Sequence, residues 1–398
     1  MTETAVVVDT KALRGLPQLM IRGRPLLPIV QGGMGVGISA HRLAGAVARL
    51  GGVGTIASVD LRRHHADLIA ASAHTDKATV DAANLTALDR EISAARAIAC
   101  GNGMIAVNVM RAVSEYAAYV RQSCESGADA IVVGAGLPLD LPELAAPYPD
   151  VALIPILSDA RGIQLVVKKW ARKGRLPDAI VIEHPRYAGG HLGAAKIEDL
   201  ADPRFDFERV LPDVLAFFRA EGIAHGAIPL IPAGGINTHE RIRELISMGA
   251  SAVQIGTPFA VTEEGDADVA FKRVLAGAKP QDIVEFMSVA GLPARAVRTP
   301  WLETYLKYLP KLQAAAHRKP RCTLKFDCLF QCGLRDGIAK IGQFCIDKQL
   351  AEALKGNVAK GLFFRGAATL PFGGEIRPVR ELVDYLLTGL RPATAPAT

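Results

Sequence analysis

Eight short, nearly continuous runs of Val, Ile, Leu and Ala lie between residues 26 and 257, separated by stretches with helical spacing. The runs are Leu26–Val30, Val53–Ser58, Met104–Met110, Ala130–Gly136, Ala152–Ser158, Ala179–Glu183, Ile228–Ile236 and Ala252–Thr257. A strand with one wet face alternates apolar and polar residues, whereas a strand buried on both faces does not. Strands of this kind belong in a parallel sheet covered by helices, and the spacers supply helices. "HRLAGAVARLGG" places Leu43, Val47 and Leu50 four and three residues apart. "NTHERIRELISMGA" opens with Asn237 and carries Glu240 three residues later, a capping-box pattern, with Ile242, Leu245 and Ile246 on one face. Count and alternation predict a closed (β/α)8 TIM barrel, with a doubly wound α/β sheet as the alternative.

The chain has 398 residues, more than one compact domain usually needs. The barrel accounts for residues 1–300. Residues 301–390 read as a mostly helical, cysteine-containing C-terminal extension, and 391–398, "RPATAPAT", as a disordered tail. The amphipathic stretch "VRELVDYLL" is expected to dock on the barrel or on a second copy of the chain in a homodimer. With 46 basic and 40 acidic residues the net charge is +6, and no Lys/Arg block points to a nucleic-acid partner. No apolar run approaches the ~18 residues of a membrane span, and the first residues lack a leader pattern. The expected location is cytoplasmic, so the six cysteines read as thiols or ligands and not as disulfides.

Barrels of this type carry their chemistry at the C-terminal strand ends. The unusual residues recur there: Gln31-Gly32-Gly33-Met34 after the first strand, Asn108 in the third, and Gly189-Gly190-His191 after the sixth. Gly234-Gly235 follow the seventh strand, and Gln254, Gly256 and Thr257 end the eighth. Loops after strands seven and eight often bind phosphate on this fold. Bare glycine amides, with a helix start nearby, suit that ligand. His191, between glycine turns, is the candidate proton-handling group, because imidazole titrates near neutral pH. His64 and His65 read as solvated, His239 as a surface residue, and His184 as a neighbour of the site.

The ordered motifs "PIVQGGMGVGIS", "VNVM", "AGGHLG", "IPAGGI" and "AVQIGTPF" resemble the flavin-dependent nitronate monooxygenase family, formerly called 2-nitropropane dioxygenases. The resemblance runs from about residue 25 to 300. It implies an FMN-dependent oxidoreductase that oxidises alkyl nitronates or nitroalkanes with O2, with His191 as active-site base. It implies phosphate contacts at Gly234, Gly235, Gly256 and Thr257, contacts along or near the flavin ring from Gly33, Met34 and Gly189, and polar contacts to the cofactor from Asn108 and Gln254. Flavin reductases that pass electrons from NAD(P)H to a quinone or an enoyl thioester share these motifs and form the alternative. Pro258, where the family often has arginine, and the segment His184–Tyr187 depart from the pattern.

Cys322, Cys328, Cys332 and Cys345 follow a C-x5-C-x3-C-x12-C spacing. The last three resemble part of the iron–sulfur site of dienoyl-CoA-reductase-type flavin barrels. Two readings stay open: an iron–sulfur or zinc site, and reduced thiols packed between helices. Cys100 and Cys124 read as structural.

Overall fold

The computed structural model describes residues 15–73, 76–318, 322 and 328–392. Eight parallel strands close into a barrel: β1 (Ile29–Gln31), β2 (Val53–Ala57), β3 (Met104–Met110), β4 (Ala130–Gly134), β5 (Ala152–Leu157), β6 (Ile180–Glu183), β7 (Leu230–Ala233) and β8 (Val253–Ile255). Sequential neighbours pair throughout, and β8 returns to β1 with Gln254 opposite Val30. Each of the eight predicted runs overlaps one barrel strand, and the doubly wound alternative is set aside.

The strands are apolar on both faces because both faces are buried. One set, including Val30, Val53, Ala106, Val132, Ile154, Val181 and Ile231, fills the barrel interior. The other, including Ile56, Ile105, Ile131, Ile180, Ile182 and Val253, packs outward against helices through residues such as Leu43, Val47, Val166 and Ile242. A hairpin ahead of the barrel, Leu19–Ile21 paired with Arg24–Leu26, inserts Leu19, Ile21 and Leu26 into the interior cluster. It stoppers the N-terminal end, so the interior opens only toward the C-terminal strand ends.

Two elements around the mouth have no counterpart in the strand count above. The hairpin Ile283–Met287 and Pro293–Val297 pairs with the two-residue strand Gly190–His191, with Ala294 opposite His191. The extension is also less helical than its pattern suggests. Helices Pro300–Ala314, Gly333–Asp336, Ile346–Leu354 and Val379–Thr388 frame an irregular run from 355 to 378 that crosses the mouth. The last helix docks on helices His41–Arg49 and His239–Ser247 of its own barrel. The six residues 393–398 of the expected tail lie outside the described residues.

Several local expectations change. The cap of helix His239–Ser247 is Thr238, whose Oγ1 accepts from Arg241 N at 3.2 Å, while Asn237 donates from Nδ2 to Thr369 O at 2.5 Å. His239 is buried, and its Nδ1 lies 3.0 Å from Leu386 O under the docked C-terminal helix. His64 and His65 are not simply solvated. His64 Nε2 contacts Gly37 O at 2.8 Å, and His65 Nε2 contacts the fully buried Glu91 at 2.9 Å.

If the N-terminal hairpin seals the barrel, Ile21→Ala should cost about 2–5 kcal/mol in urea-induced unfolding. A loss below about 1 kcal/mol, less than filling the interior implies, would show that the hairpin is only appended.

Candidate functional site

At the open end lies a cavity of about 660 Å³, within the usual size range of ligand sites. Its floor follows from strand alternation. Val181 faces the barrel interior, so Glu183, two residues on, does as well. Asn108 pairs with the inward-facing Val132, and Gln254 with the inward-facing Val30 and Ala233. A sheet buried on both faces accommodates polar side chains best toward its ends, and these three crown the interior and line the cavity. The fully buried Gln31 locks β1 to β2: its Oε1 accepts from Thr55 N at 2.9 Å and its Nε2 donates to Thr55 O at 3.1 Å.

All ten site residues singled out from the sequence line this one cavity: Gly33, Met34, Asn108, Gly189, His191, Gly234, Gly235, Gln254, Gly256 and Thr257. Their glycines serve different ends. A Cβ on Gly33 would sit 2.4 Å from Asn108 Cβ, and one on Gly189 would sit 2.5 Å from Arg365 C and Gly366 N. Those two glycines admit protein. Gly234 and Gly235 hold φ of +101° and +74°, which favours glycine. At Gly256 an added Cβ would meet only Met34 Sδ, at 3.7 Å. Protein packing therefore leaves the amides around Gly256 approachable from the cavity. The amide of Gln254 has no hydrogen-bond partner among the described residues, which also leaves a polar group for a ligand.

His191 rides on the short strand beside the hairpin, its ring centroid 5.7 Å from that of Phe364. Its Nε2 is buried with no hydrogen-bond partner among the described residues. Burial pushes its pKa down to about 4, so the imidazole is neutral at physiological pH and not poised at neutrality as its residue type suggests. Glu183 shows the converse: burial pushes its carboxyl up to about 7, against the pull of Arg295. Arg295 is itself occupied, donating from Nε and Nη2 to Glu285 and from Nη1 to Pro185 O and Ala188 O. His184 is turned away from the cavity, buried between Tyr187 and Phe207 with Nε2 3.2 Å from Asp206.

Sequence reasoning passed over three contributors to the lining. Glu183 ends an otherwise apolar strand, a polarity break that marks it. The segment Phe364–Gly366 enters from the extension, and Gly366 N donates to Thr257 Oγ1 at 3.0 Å. Its sign in the sequence is a glycine-bearing stretch, "GLFFRGA", inside a region otherwise read as helical. Asp60 and Asp347 form the third contribution, a clasp between the loop after β2 and helix Ile346–Leu354. Arg63 bridges it, 2.5 Å from Asp60 and 2.6 Å from Asp347.

The cysteines support the thiol reading. Among the described residues no group of three or more His, Cys, Asp or Glu side chains is placed to hold a metal ion. Burial pushes the Cys328 thiol up to about 12 and raises Cys332. The iron–sulfur expectation is not supported. Nor is any helix among the described residues long and apolar enough to cross a membrane.

Comparison with known proteins agrees with this geometry. A family model described as nitronate monooxygenase matches residues 23–389. A nitronate monooxygenase of Pseudomonas aeruginosa is 32% identical over 122 residues, covering 30% of this chain and 31% of that protein. A putative nitronate monooxygenase of Saccharomyces cerevisiae is 32% identical over 120 residues, 29% of each chain. The chain thus aligns with only about a third of the length of these relatives. Among solved structures, FabK from Thermotoga maritima superposes with a TM-score of 0.62 at 22% identity, covering 95% of this chain and 94% of that one. Nitroalkane oxidase from Streptomyces ansochromogenes gives 0.61 at 19% identity, covering 91% and 94%. At these identities the superpositions speak for the fold alone.

The clasp sets a pH dependence of stability. Burial and the charge of Asp60 push Asp347 up to about 7, so the folded state holds a proton that the unfolded chain releases near 4. Stability from this group is full below the unfolded value and is lost as pH rises toward 7. The stability of the wild type relative to Asp347→Asn should therefore fall between about pH 4 and pH 7 and level off above. A flat difference in urea titrations across that range would refute the clasp.

Proposed function

Because the chain belongs to the nitronate monooxygenase family, we propose that the cavity binds FMN and that the protein oxidises alkyl nitronates, or their parent nitroalkanes, with O2. The carrying observation is that one cavity brings the approachable amides at Gly256 and Thr257 together with an unpartnered histidine. We read residues 1–300 as the catalytic barrel and 301–390 as an extension that completes the wall of its mouth.

In this reading Gly234, Gly235, Gly256 and Thr257 present backbone N–H groups, and Thr257 its hydroxyl, to the phosphate. Gly33 and Met34 lie along the flavin ring, Gly189 brings backbone beside it, and Asn108 and Gln254 offer their amides to its polar edge. When bound, FMN supplies a two-electron acceptor that O2 reoxidises.

The neutral imidazole of His191 accepts the proton that leaves the carbon bearing the nitro group. The imidazolium then faces the nitronate it has produced, and that opposite charge favours the protonated ring which burial alone disfavours. A substrate already in the nitronate form needs no proton transfer, and His191 then hydrogen-bonds the anion. Phe364 and the hairpin that pairs with the strand of His191 exclude water from this proton.

The purified protein is expected to be yellow. Anaerobic stopped-flow mixing with an alkyl nitronate should bleach it, and NADPH alone should not. Rapid bleaching by NADPH would favour the flavin-reductase alternative. His191→Ala should keep the cofactor and lose about 10²–10⁴-fold in turnover of the neutral nitroalkane, with a smaller loss on the preformed nitronate. Equal losses on both would refute a proton-accepting role.

A further inference from the structure

Six carboxyl-bearing side chains line the cavity, from Asp60, Asp81, Glu115, Asp159, Glu183 and Asp347, yet Arg365 is the only Lys or Arg among the described lining residues. It is 3% exposed and sits on the irregular run of the extension. Its Nε donates to Leu275 O at 2.9 Å and its Nη1 to Gly366 O at 2.9 Å. Both partners are neutral carbonyls. No carboxylate forms an ion pair with it among the described residues, and Nη2 has no partner there. Burial, with no compensating anion, lowers its pKa from the usual arginine range.

A buried guanidinium without a counter-charge is costly to maintain. Its surroundings indicate which anion would relieve that cost. The next residue, Gly366, donates its N–H to Thr257 Oγ1, and a Cβ there would meet Thr257 Oγ1 at 3.4 Å. Arg365 is thereby fastened to the loop after β8, beside the amides of Gly256 and Thr257. That loop brings no cation of its own, since Pro258 follows Thr257.

We propose that Arg365 is the counter-ion of the cofactor's phosphate and the residue by which this site selects FMN over riboflavin. The proposal rests on the reading of the cavity as an FMN site. The barrel loops supply neutral N–H donors for the phosphate oxygens, and the extension supplies the positive charge. With Nε and one Nη1 hydrogen held by carbonyls, the guanidinium is fixed, and its remaining donors can meet two phosphate oxygens side by side.

The test strips flavin from the purified full-length protein and measures dissociation constants for FMN and riboflavin by quenching of flavin fluorescence. Wild type, Arg365→Gln and Arg365→Lys are compared, with circular dichroism and thermal melting to establish folding. The wild type should prefer FMN strongly. Arg365→Gln should cut that preference at least tenfold while leaving riboflavin affinity unchanged, and Arg365→Lys should fall between. Full preference retained in a folded Arg365→Gln overturns the proposal and leaves the FMN reading standing. Equal loss of both flavins in the folded variants also overturns it, because Arg365 would then only shape the pocket. Wild type that binds neither flavin overturns the FMN reading itself, and the proposal with it.

Discussion

A sheet buried on both faces disfavours polar side chains along its length, and the arrangement of this protein follows from that constraint. The interior is filled by Val, Ile, Ala and Met, and the hairpin Leu19–Leu26 closes it from below. Apart from Thr55, the polar side chains on inward positions stand within two residues of the C-terminal ends of their strands, where the sheet gives way to loops. Asn108, Glu183 and Gln254 stand there, and the cavity forms over them. The site is the place where the barrel stops being able to exclude polarity.

The barrel does not complete that site alone. The hairpin Ile283–Val297 supplies the partner strand that orients His191, and Phe364–Gly366 from the extension covers Gly189 and bonds Thr257. Two further attachments hold the extension in place: Asp347 through Arg63 to Asp60, and Leu386 over His239. Both join the extension to loops or helices immediately after barrel strands. Packing that secures the extension therefore also shapes the mouth, and the buried core runs without a break from Ile29 to Leu387.

Strands and glycines were legible in the sequence for different reasons. Strands show because burial on both faces forces composition; seven of the eight runs contain their strand and the first, Leu26–Val30, overlaps Ile29–Gln31. Glycines show as positions, but not why they are there. Gly189 and Gly256 look alike in a string of letters, yet one makes room for the backbone of residues 365–366 and the other faces open cavity. The hairpin at 283–297 escaped because "IVEFM" and "PARAV" pair locally at the mouth and add no barrel stave. The histidine roles failed where long-range docking decides burial. Nothing near His239 announces that a helix nearly 150 residues later will lie on it, and nothing near His65 announces Glu91.

The electrostatics of the cavity complete the picture. Burial works against charge of either sign, holding His191 neutral and keeping a proton on Glu183 up to about pH 7. A site so arranged meets an incoming ligand with few fixed charges near its floor. The one buried guanidinium among its described lining residues is held at the wall beside the glycine amides. Negative charge developing on a bound molecule is then answered by groups that gain protons or donate hydrogen bonds, not by a standing field. A neutral imidazole becomes a useful base under these conditions only when its proton comes with an anion to pair against, and an acidified C–H next to a nitro group delivers both together.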